Sequence, residues 1–157
     1  MKIKACLTSN NQFWRTPKKI YDYYMKNGYF DPCPVNPQFD GLNIEWYQKN
    51  FVNPPYNQIK KWVDKAIEED KKGHKSVLLI PARTDTKWFK KLYDYGCLFG
   101  FIEGRLKFSE GGSAPFPSMF VFFDNNTRSC MTYYTKLDME VLFKWMNKLK
   151  EKTFSVH

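Results

Sequence analysis

The sequence predicts an α/β fold in which helices flank a mainly parallel central sheet. Strand-like and helix-like segments alternate through the middle of the chain. Residues 76–81 are almost wholly apolar, which is typical of a parallel strand buried on both faces. With 157 residues, the chain fits one domain, residues 1–157, with one hydrophobic core. We expect antiparallel pairing of strands near the C-terminus.

The first half of the chain has local signals for two helices and two short strands. The first helix is predicted to begin at Thr16-Pro17, where a hydroxyl cap precedes a proline at the first helical position, and to end at Asn27-Gly28. A very short strand at Tyr29-Phe30 precedes a proline-rich loop, and Phe51-Val52 is the next short strand. The second helix ends with two lysines and a glycine at residues 71–73. Its apolar stripe consists of Ile59, Trp62, Val63, Ala66 and Ile67.

The second half alternates in the same way. Trp88, Phe89, Leu92 and Tyr93 indicate a third, short helix, and residues 98–103 and 119–123 look like two further strands. Residues 130–134 are predicted to form the last strand. The apolar stripe of a C-terminal helix follows at Leu137, Val141, Leu142, Trp145, Met146 and Leu149. We expect Trp62 and Trp145 to be core residues.

Composition narrows the classes of protein to be considered. Lysine and arginine number 25 against 16 aspartates and glutamates, a net charge of +9 that favours a polyanionic partner, although a merely basic soluble protein has the same balance. Cys6, Cys33, Cys97 and Cys130 form no CxxC pair, so we expect reduced thiols and no metal site. No secretion signal or membrane-length apolar run is found, and the expected location is the cytoplasm.

The residues that indicate chemistry are Asn53, Pro54, Pro55 and Tyr56, between a short strand and a helix. Ligands bind at this position in open α/β sheets. The Asn53 side-chain oxygen and the Pro54 carbonyl can accept the two hydrogens of an adenine amine, which frees the nitrogen lone pair. Because the prolines make the turn rigid, these acceptors need no reorganisation. Tyr56 offers an aromatic face on which an extruded base can stack. The alternative is an ordinary proline-rich turn with an asparagine cap.

This tetrapeptide resembles the catalytic motif of amino-group methyltransferases, and an ordered set of further pieces resembles the small phage-type DNA N6-adenine methyltransferases (Dam-like). The resemblance implies a trimmed Rossmann-like methyltransferase fold, S-adenosylmethionine as cofactor, and double-stranded DNA with a flipped adenine as substrate. The chain has no room for a recognition domain, so a homodimer is one way to extend the DNA contacts. The pieces are Phe13-Trp14-Arg15-Thr16-Pro17, Asp31-Pro32-Cys33, Asp40-Gly41-Leu42 with Trp46, residues 79–86 with Trp88-Phe89, residues 104–108, and residues 114–118.

The resemblance also implies the cofactor site. Asp31 would face the cofactor's ammonium group, and Asp40 would bond to its adenine amine or ribose; for both, ordinary turn chemistry before Pro or Gly is the alternative. No glycine-rich loop follows the first strand, and the roughly twenty residues from Asp31 to Asn53 are too few for two strand–helix units. We therefore expect a sheet trimmed at one edge. The remaining predicted cofactor contacts are Trp14, Thr16, Pro17, Pro32 and Cys33.

Four further residues are predicted to contact DNA. Arg83 can hold a phosphate or the target base with Asp85 orienting it, or the segment is simply a helix start capped by Thr84 or Asp85. Arg105 and Lys107 belong to a segment, residues 104–118, that is either a DNA-contacting flap or a hairpin with a solvated tip. The lysine pairs at residues 60–61 and 71–72 are more typical of solvated helix faces than of DNA contacts.

Three other functions remain open from the sequence. The same turn serves methyltransferases acting on RNA adenine or on a protein glutamine, and a methyltransferase-like module that only binds nucleic acid would have a similar sequence. The basic charge and the ordered pieces favour DNA over a peptide substrate, while the intact tetrapeptide favours an enzyme over a binding module.

Overall fold

The computed structural model describes residues 16–108, 112–123 and the backbone of 130–134, which form three helices and two sheets. The helices are α1 (Lys18–Lys26), α2 (Ile59–Lys71) and α3 (Lys87–Tyr95), with a short 3₁₀ turn at Tyr56–Gln58. The strands are β1 (Lys49–Val52), β2 (Lys75–Pro81), β3 (Leu98–Ile102), β4 (Lys107–Phe108), β5 (Gly112–Ser113), β6 (Ser118–Phe122) and β7 (Cys130–Tyr134).

The main sheet has the order β1-β2-β6-β3-β7 and is mixed, so the prediction of a mainly parallel sheet is wrong. β1 pairs parallel with β2 and β3 parallel with β7, but β6 runs antiparallel to both of its neighbours, β2 and β3. The reason lies in the connection from β3 to β6. It carries the β4–β5 hairpin instead of a crossover helix, so the chain returns into the sheet from the edge at which β3 ends.

The core lies on both faces of this sheet. Along β2, Leu78 and Ile80 point to the face covered by α2 and α3, while Val77 and Leu79 point to the face covered by α1. All four side chains are buried, as the apolar run of residues 76–81 predicted. Trp62 is also buried, which confirms that it is a core residue. The predicted C-terminal helix with Trp145 lies outside the described residues.

Two helix starts differ from the prediction. α1 begins at Lys18 with Pro17 as its N-cap residue and has no side-chain cap; the Thr16 hydroxyl accepts a hydrogen bond from the Asn53 side chain. α3 is capped by Thr86, not by Thr84 or Asp85; the Thr86 hydroxyl accepts a hydrogen bond from the Phe89 N–H. The C-terminal ends of α1 and α2 lie where the sequence predicts them.

The sheet is trimmed at its β1 edge. The predicted strand at Tyr29-Phe30 is reduced to a single parallel bridge between Phe30 and Asn50, and residues 31–48 contain only turns and bends. This agrees with the shortness of the segment between Asp31 and Asn53. Each helix in the described ranges is too short or too polar to cross a membrane.

Candidate active site

One edge of the sheet gathers the chain segments that the sequence singles out. The parallel strands β1, β2 and β3 all end there, at Val52, Pro81 and Ile102, and the antiparallel β6 begins there at Ser118. The tetrapeptide, the Arg83 segment and the β4–β5 hairpin therefore follow or precede strand ends on the same edge, which we call the carboxyl edge. This is the position at which open α/β sheets bind ligands.

Asn53 is fixed by a residue far away in sequence. Its side-chain nitrogen donates a hydrogen bond to the Thr16 hydroxyl over 3.1 Å, across 37 residues. Pro54 and Pro55 are buried, and the Asn53 side chain is half-buried. The turn is thus held from both sides, by the segment that enters α1 and by the body of the protein under the prolines.

Tyr56 lies beside this turn and contacts an aromatic residue that the sequence did not single out. Its half-buried ring meets the Phe116 ring edge to face, with centroids 4.7 Å apart and an angle of 88° between the planes. Burial raises the pKa of the Tyr56 hydroxyl well above its usual range, so the side chain stays neutral. Phe116 stands between Pro115 and Pro117, and this proline-flanked aromatic is the signal that could have identified it.

Asp31 and Cys33 form a tight turn at the end of the Phe30 bridge. The Cys33 N–H donates to Asp31 Oδ1 over 2.9 Å, so the turn chemistry considered as the alternative is present. Burial raises the pKa of Asp31 to about 6, although this hydrogen bond opposes the rise. Burial and the neighbouring Asp31 raise the pKa of the Cys33 thiol to about 12. No cation among the described residues pairs with the Asp31 carboxylate.

The turn at Asp40 packs directly on the turn at Asp31. Asp40 accepts hydrogen bonds from the Leu42 N–H over 3.0 Å and from the Asn43 side chain over 2.6 Å. Gly41 is buried against the Pro32 carbonyl, where a Cβ would lie only 1.8 Å from the oxygen. The structure therefore brings together the two turns that the resemblance assigns to the cofactor. Trp14, assigned to the same pocket, lies outside the described residues.

A buried carboxylate supports these turns from behind. Trp46 donates its indole N–H to the Gly41 carbonyl over 2.7 Å, and its backbone N–H donates to Glu69 over 3.2 Å. Glu69 is fully buried and also accepts from Lys65, Lys72 and His74. Burial alone would raise the pKa of Glu69, but these hydrogen bonds lower it to about 2. Sequence reasoning missed Glu69, because an acidic residue in the last turn of a helix gives no local sign of burial.

The predicted DNA-contacting residues lie on the surface of the carboxyl edge. Arg83 donates two hydrogen bonds to the Asp85 carboxylate, at 3.2 and 3.3 Å, as predicted for an oriented guanidinium. Arg105 is exposed and lines a cavity of about 250 Å³ between the ends of β2 and β3. Lys107 is exposed on β4, and the hairpin is anchored at its base by a hydrogen bond between Ala114 and Leu106.

An Asn-Pro-Pro-Tyr turn thus follows a strand at the carboxyl edge of an α/β sheet, and the family comparison shows that the chain is a methyltransferase. A family described as DNA N-6-adenine-methyltransferase (Dam) matches residues 4–148. The chain therefore belongs to the DNA N-6-adenine-methyltransferase (Dam) family, as the resemblance predicted. Members of a methyltransferase family use S-adenosylmethionine in general.

No curated protein matches the chain. Among solved structures, the chain is similar to the crystal structure of a predicted O-methyltransferase from Agrobacterium tumefaciens, with 12% identity and a TM-score of 0.36. That similarity covers 80% of this chain and 66% of the other, so the chain spans just under two thirds of that protein's length.

Proposed function

We propose that this chain transfers a methyl group from S-adenosylmethionine to the N6 amine of an adenine in DNA, and that the adenine is flipped into a pocket formed at Asn53 to Tyr56. The observation that carries the proposal is the hydrogen bond from the Asn53 side-chain nitrogen to Thr16. It fixes the rotation of the amide at the edge of the sheet where ligands bind.

The chemistry of Asn53 follows from that hydrogen bond. Because the amide nitrogen is held by Thr16, we assign the amide oxygen to one hydrogen of the adenine amine and the Pro54 carbonyl to the other. The two acceptors draw the amine toward tetrahedral geometry and make its lone pair available. They sit on a turn that buried prolines hold rigid, so they stabilise the developing positive charge without rearrangement. The proton that the nitrogen loses leaves through these oxygens to water.

Tyr56 provides the surface for the extruded base. Flipping costs a few kcal/mol, and stacking on an aromatic ring returns about 1–3 kcal/mol, so one well-placed ring brings the exchange close to balance. The edge-to-face contact with Phe116 fixes the orientation of the Tyr56 ring before the base arrives. The neutral hydroxyl leaves the ring uncharged beside the base.

The residues of the Asp31 turn fit the cofactor. Asp31 has a half-buried carboxylate with one oxygen bonded to the Cys33 N–H and with no cation of the described chain beside it. We assign this carboxylate to the ammonium group of S-adenosylmethionine. When bound, the cofactor supplies a methyl group on a positively charged sulfur, which becomes a neutral thioether as the adenine nitrogen takes the methyl group. The other proposed contacts are Trp14, Thr16, Pro17, Pro32, Cys33 and the exposed carboxylate of Asp40.

Arg83, Asp85, Arg105 and Lys107 are proposed to contact the DNA. Asp85 holds the Arg83 guanidinium in one orientation, while Arg105 has no carboxylate partner among the described residues. All four lie on the carboxyl edge, as the segments that carry them do, and are exposed. Contacts of this kind position a duplex without reading its sequence.

The test is methyl transfer from labelled S-adenosylmethionine to duplex DNA, to RNA, and to a glutamine-containing peptide. Asn53→Ala should lower the rate on DNA by about 10²-fold or more, as loss of one oriented acceptor or donor does at comparable sites, with cofactor affinity unchanged. Asn57→Ala is the matched control, since Asn57 is exposed in the adjacent 3₁₀ turn, and it should behave as the parent chain. A parent-like rate in Asn53→Ala refutes the assigned chemistry, and incorporation into RNA or peptide without DNA refutes the substrate.

A further inference from the structure

We propose that the first turns of the three helices form one lysine-bearing surface around the Asn53 turn, and that this surface binds the phosphate backbone of duplex DNA. We call it the lysine rim; it consists of Lys19, Lys60, Lys61 and Lys87. The inference rests on the proposed function in one respect, that DNA is the substrate brought to Asn53.

The topology places all three helix starts on the carboxyl edge. α2 leaves the end of β1 and returns to the start of the parallel β2, and α3 leaves the end of β2 and returns to the start of β3. α1 ends just before the Phe30 bridge, which runs parallel to β1, and Thr16 at its start touches Asn53. The first turns of α1, α2 and α3 therefore lie at the same edge of the sheet as the proposed reaction site, α1 on one face and α2 and α3 on the other.

The charges in these turns are the reverse of what helix stability favours. A helix N-terminus carries partial positive charge, so acidic side chains stabilise it and cations oppose it. None of the three helices has an acidic residue in its first turn, and each has lysines there. In α2 the acidic residues Glu68, Glu69 and Asp70 lie in the last turns, at the unfavourable end. The stability of the helices therefore does not explain the positions of the rim lysines.

Some lysines of these helices are ion-paired, whereas the rim lysines, like Lys26 and Lys71 at the helix ends, have no ion-pair partner in the described part of the chain. Lys65 pairs with Glu69, Lys90 with Asp94, and Lys91 with Asp64. The four rim lysines are exposed, and none has an ion-pair partner within the described ranges. Among the described residues of the carboxyl edge, the acidic ones are Asp31 and Asp40, assigned to the cofactor, Asp85, which pairs with Arg83, and Glu103.

Binding of a polyanion would explain why unpaired lysines lie in the first turns of these helices. Phosphates placed against the rim would neutralise the unpaired ammonium groups and would also meet the backbone N–H groups and positive dipole ends of three helices. Duplex DNA presents about one charge per 1.7 Å of its length, so one face of a duplex can reach several rim lysines while an adenine enters the pocket between them. The lysine pair at residues 60–61, which looked like a solvated helix face, is thereby assigned to DNA.

The test compares two double variants that remove the same charge. Lys60→Gln/Lys61→Gln changes the rim, and Lys26→Gln/Lys71→Gln changes two exposed lysines in the last turns of α1 and α2, at the opposite edge. Binding of the full chain to duplex DNA is measured over a series of salt concentrations. The rim variant should lose about 1.8 from the slope of log affinity against log salt, about 0.9 for each phosphate contact. The control should keep the slope of the parent chain. The melting temperature of the rim variant should not fall, because its helix start loses unfavourable charge.

The other possible outcomes of the binding experiment also distinguish between explanations. Equal slope losses in both variants mean that the lysines act only through net charge, and an unchanged slope in the rim variant means that the rim does not touch DNA; both overturn the inference. A parent chain that does not bind duplex DNA overturns the inference and the proposed substrate together. If the parent binds DNA and the rim variant shows the expected slope, but the parent transfers no methyl group to DNA, the rim stands and the proposed reaction fails.

Discussion

The contact between Gly41 and Pro32 predicts how much a Gly41→Ala substitution should destabilise the protein. A Cβ on Gly41 would lie 1.8 Å from the Pro32 oxygen and 2.9 Å from the Trp62 ring, where real Cβ atoms essentially never come within 3.0 Å. The obstructing oxygen belongs to the backbone, so no side-chain rotation relieves the clash. Overpacking of this kind costs about 1–3 kcal/mol. For a chain of this length we expect Gly41→Ala to lower the melting temperature by about 2–12 °C.

The same substitution should also weaken the binding of the cofactor. Pro32 lies between Asp31 and Cys33, so a displaced Pro32 carbonyl moves the carboxylate that we assign to the ammonium group of S-adenosylmethionine. We expect Gly41→Ala to weaken cofactor binding by about tenfold or more, which corresponds to about 1.4 kcal/mol.

Gly28→Ala is the matched control, because it destabilises the chain for a different reason. Gly28 has a φ of +76°, which costs a residue with a Cβ about 1–2 kcal/mol, but a Cβ there meets nothing within 4 Å. It should lower the melting temperature and leave cofactor affinity unchanged. The assay is calorimetric titration with S-adenosylmethionine at a temperature at which both variants are folded. Parent-like stability and affinity in Gly41→Ala, or equal losses of affinity in the two variants, would refute the reasoning.

Three further predictions follow from single contacts. Thr16→Val removes the hydroxyl that holds Asn53, so kcat should fall about tenfold, and Thr16→Ser should restore it; a loss of cofactor affinity with an unchanged kcat contradicts this role. Burial raises the pKa of Asp31 from 3.8 to about 6, so affinity for the cofactor should rise as the pH increases through 6 and then level off, and unliganded stability should fall over the same range. A profile that is flat there, or that persists in Asp31→Asn, excludes Asp31 as the group. Hydrogen bonds lower the pKa of Glu69 from 4.5 to about 2, so its contribution to stability is present above pH 4.5 and lost as the pH falls toward 2. Glu69→Gln should remove that acid-dependent loss from the melting profile, and an unaltered profile counts against the buried network.

The elements that the sequence predicted well are those with a local signal. The stripe from Ile59 to Ile67 and the apolar run of β2 are both buried, so the period of the first and the composition of the second were sufficient to predict them. The direction of β6 was not predictable in this way. All five of its residues are buried, so the burial pattern is the same for either strand direction. Only the connection from β3, which contains the β4–β5 hairpin, makes this strand antiparallel to its neighbours.

The residues of the site divide in the same way, into those with a local sequence signal and those whose role depends on a contact with a distant part of the chain. Asn53, Asp31 and Asp40 could be found because each stands in a turn beside proline or glycine. Thr16 has an ordinary cap position, and a local pattern gives no sign that its hydroxyl bonds to a side chain 37 residues away. Phe116 has a local signal in its two flanking prolines, but its partner, the Tyr56 ring, lies sixty positions earlier in the chain and could not be predicted from that signal.

α2 explains how separate turns become one site. Its first turn follows the Asn53 tetrapeptide directly, and Glu69 in its last turns binds the Trp46 backbone, whose indole in turn holds Gly41 against Pro32. The turn proposed for the adenine precedes the first turn of α2, and the turn proposed for the cofactor contacts Trp62 in that first turn and is held through Trp46 by the last turns of the same 13-residue helix. A methyl transfer in a straight line requires the two reactants to keep a fixed separation, and a rigid helix between their supports provides it. Glu69, a charged group that is costly to bury, is thus connected through Trp46 to the turn proposed for the cofactor.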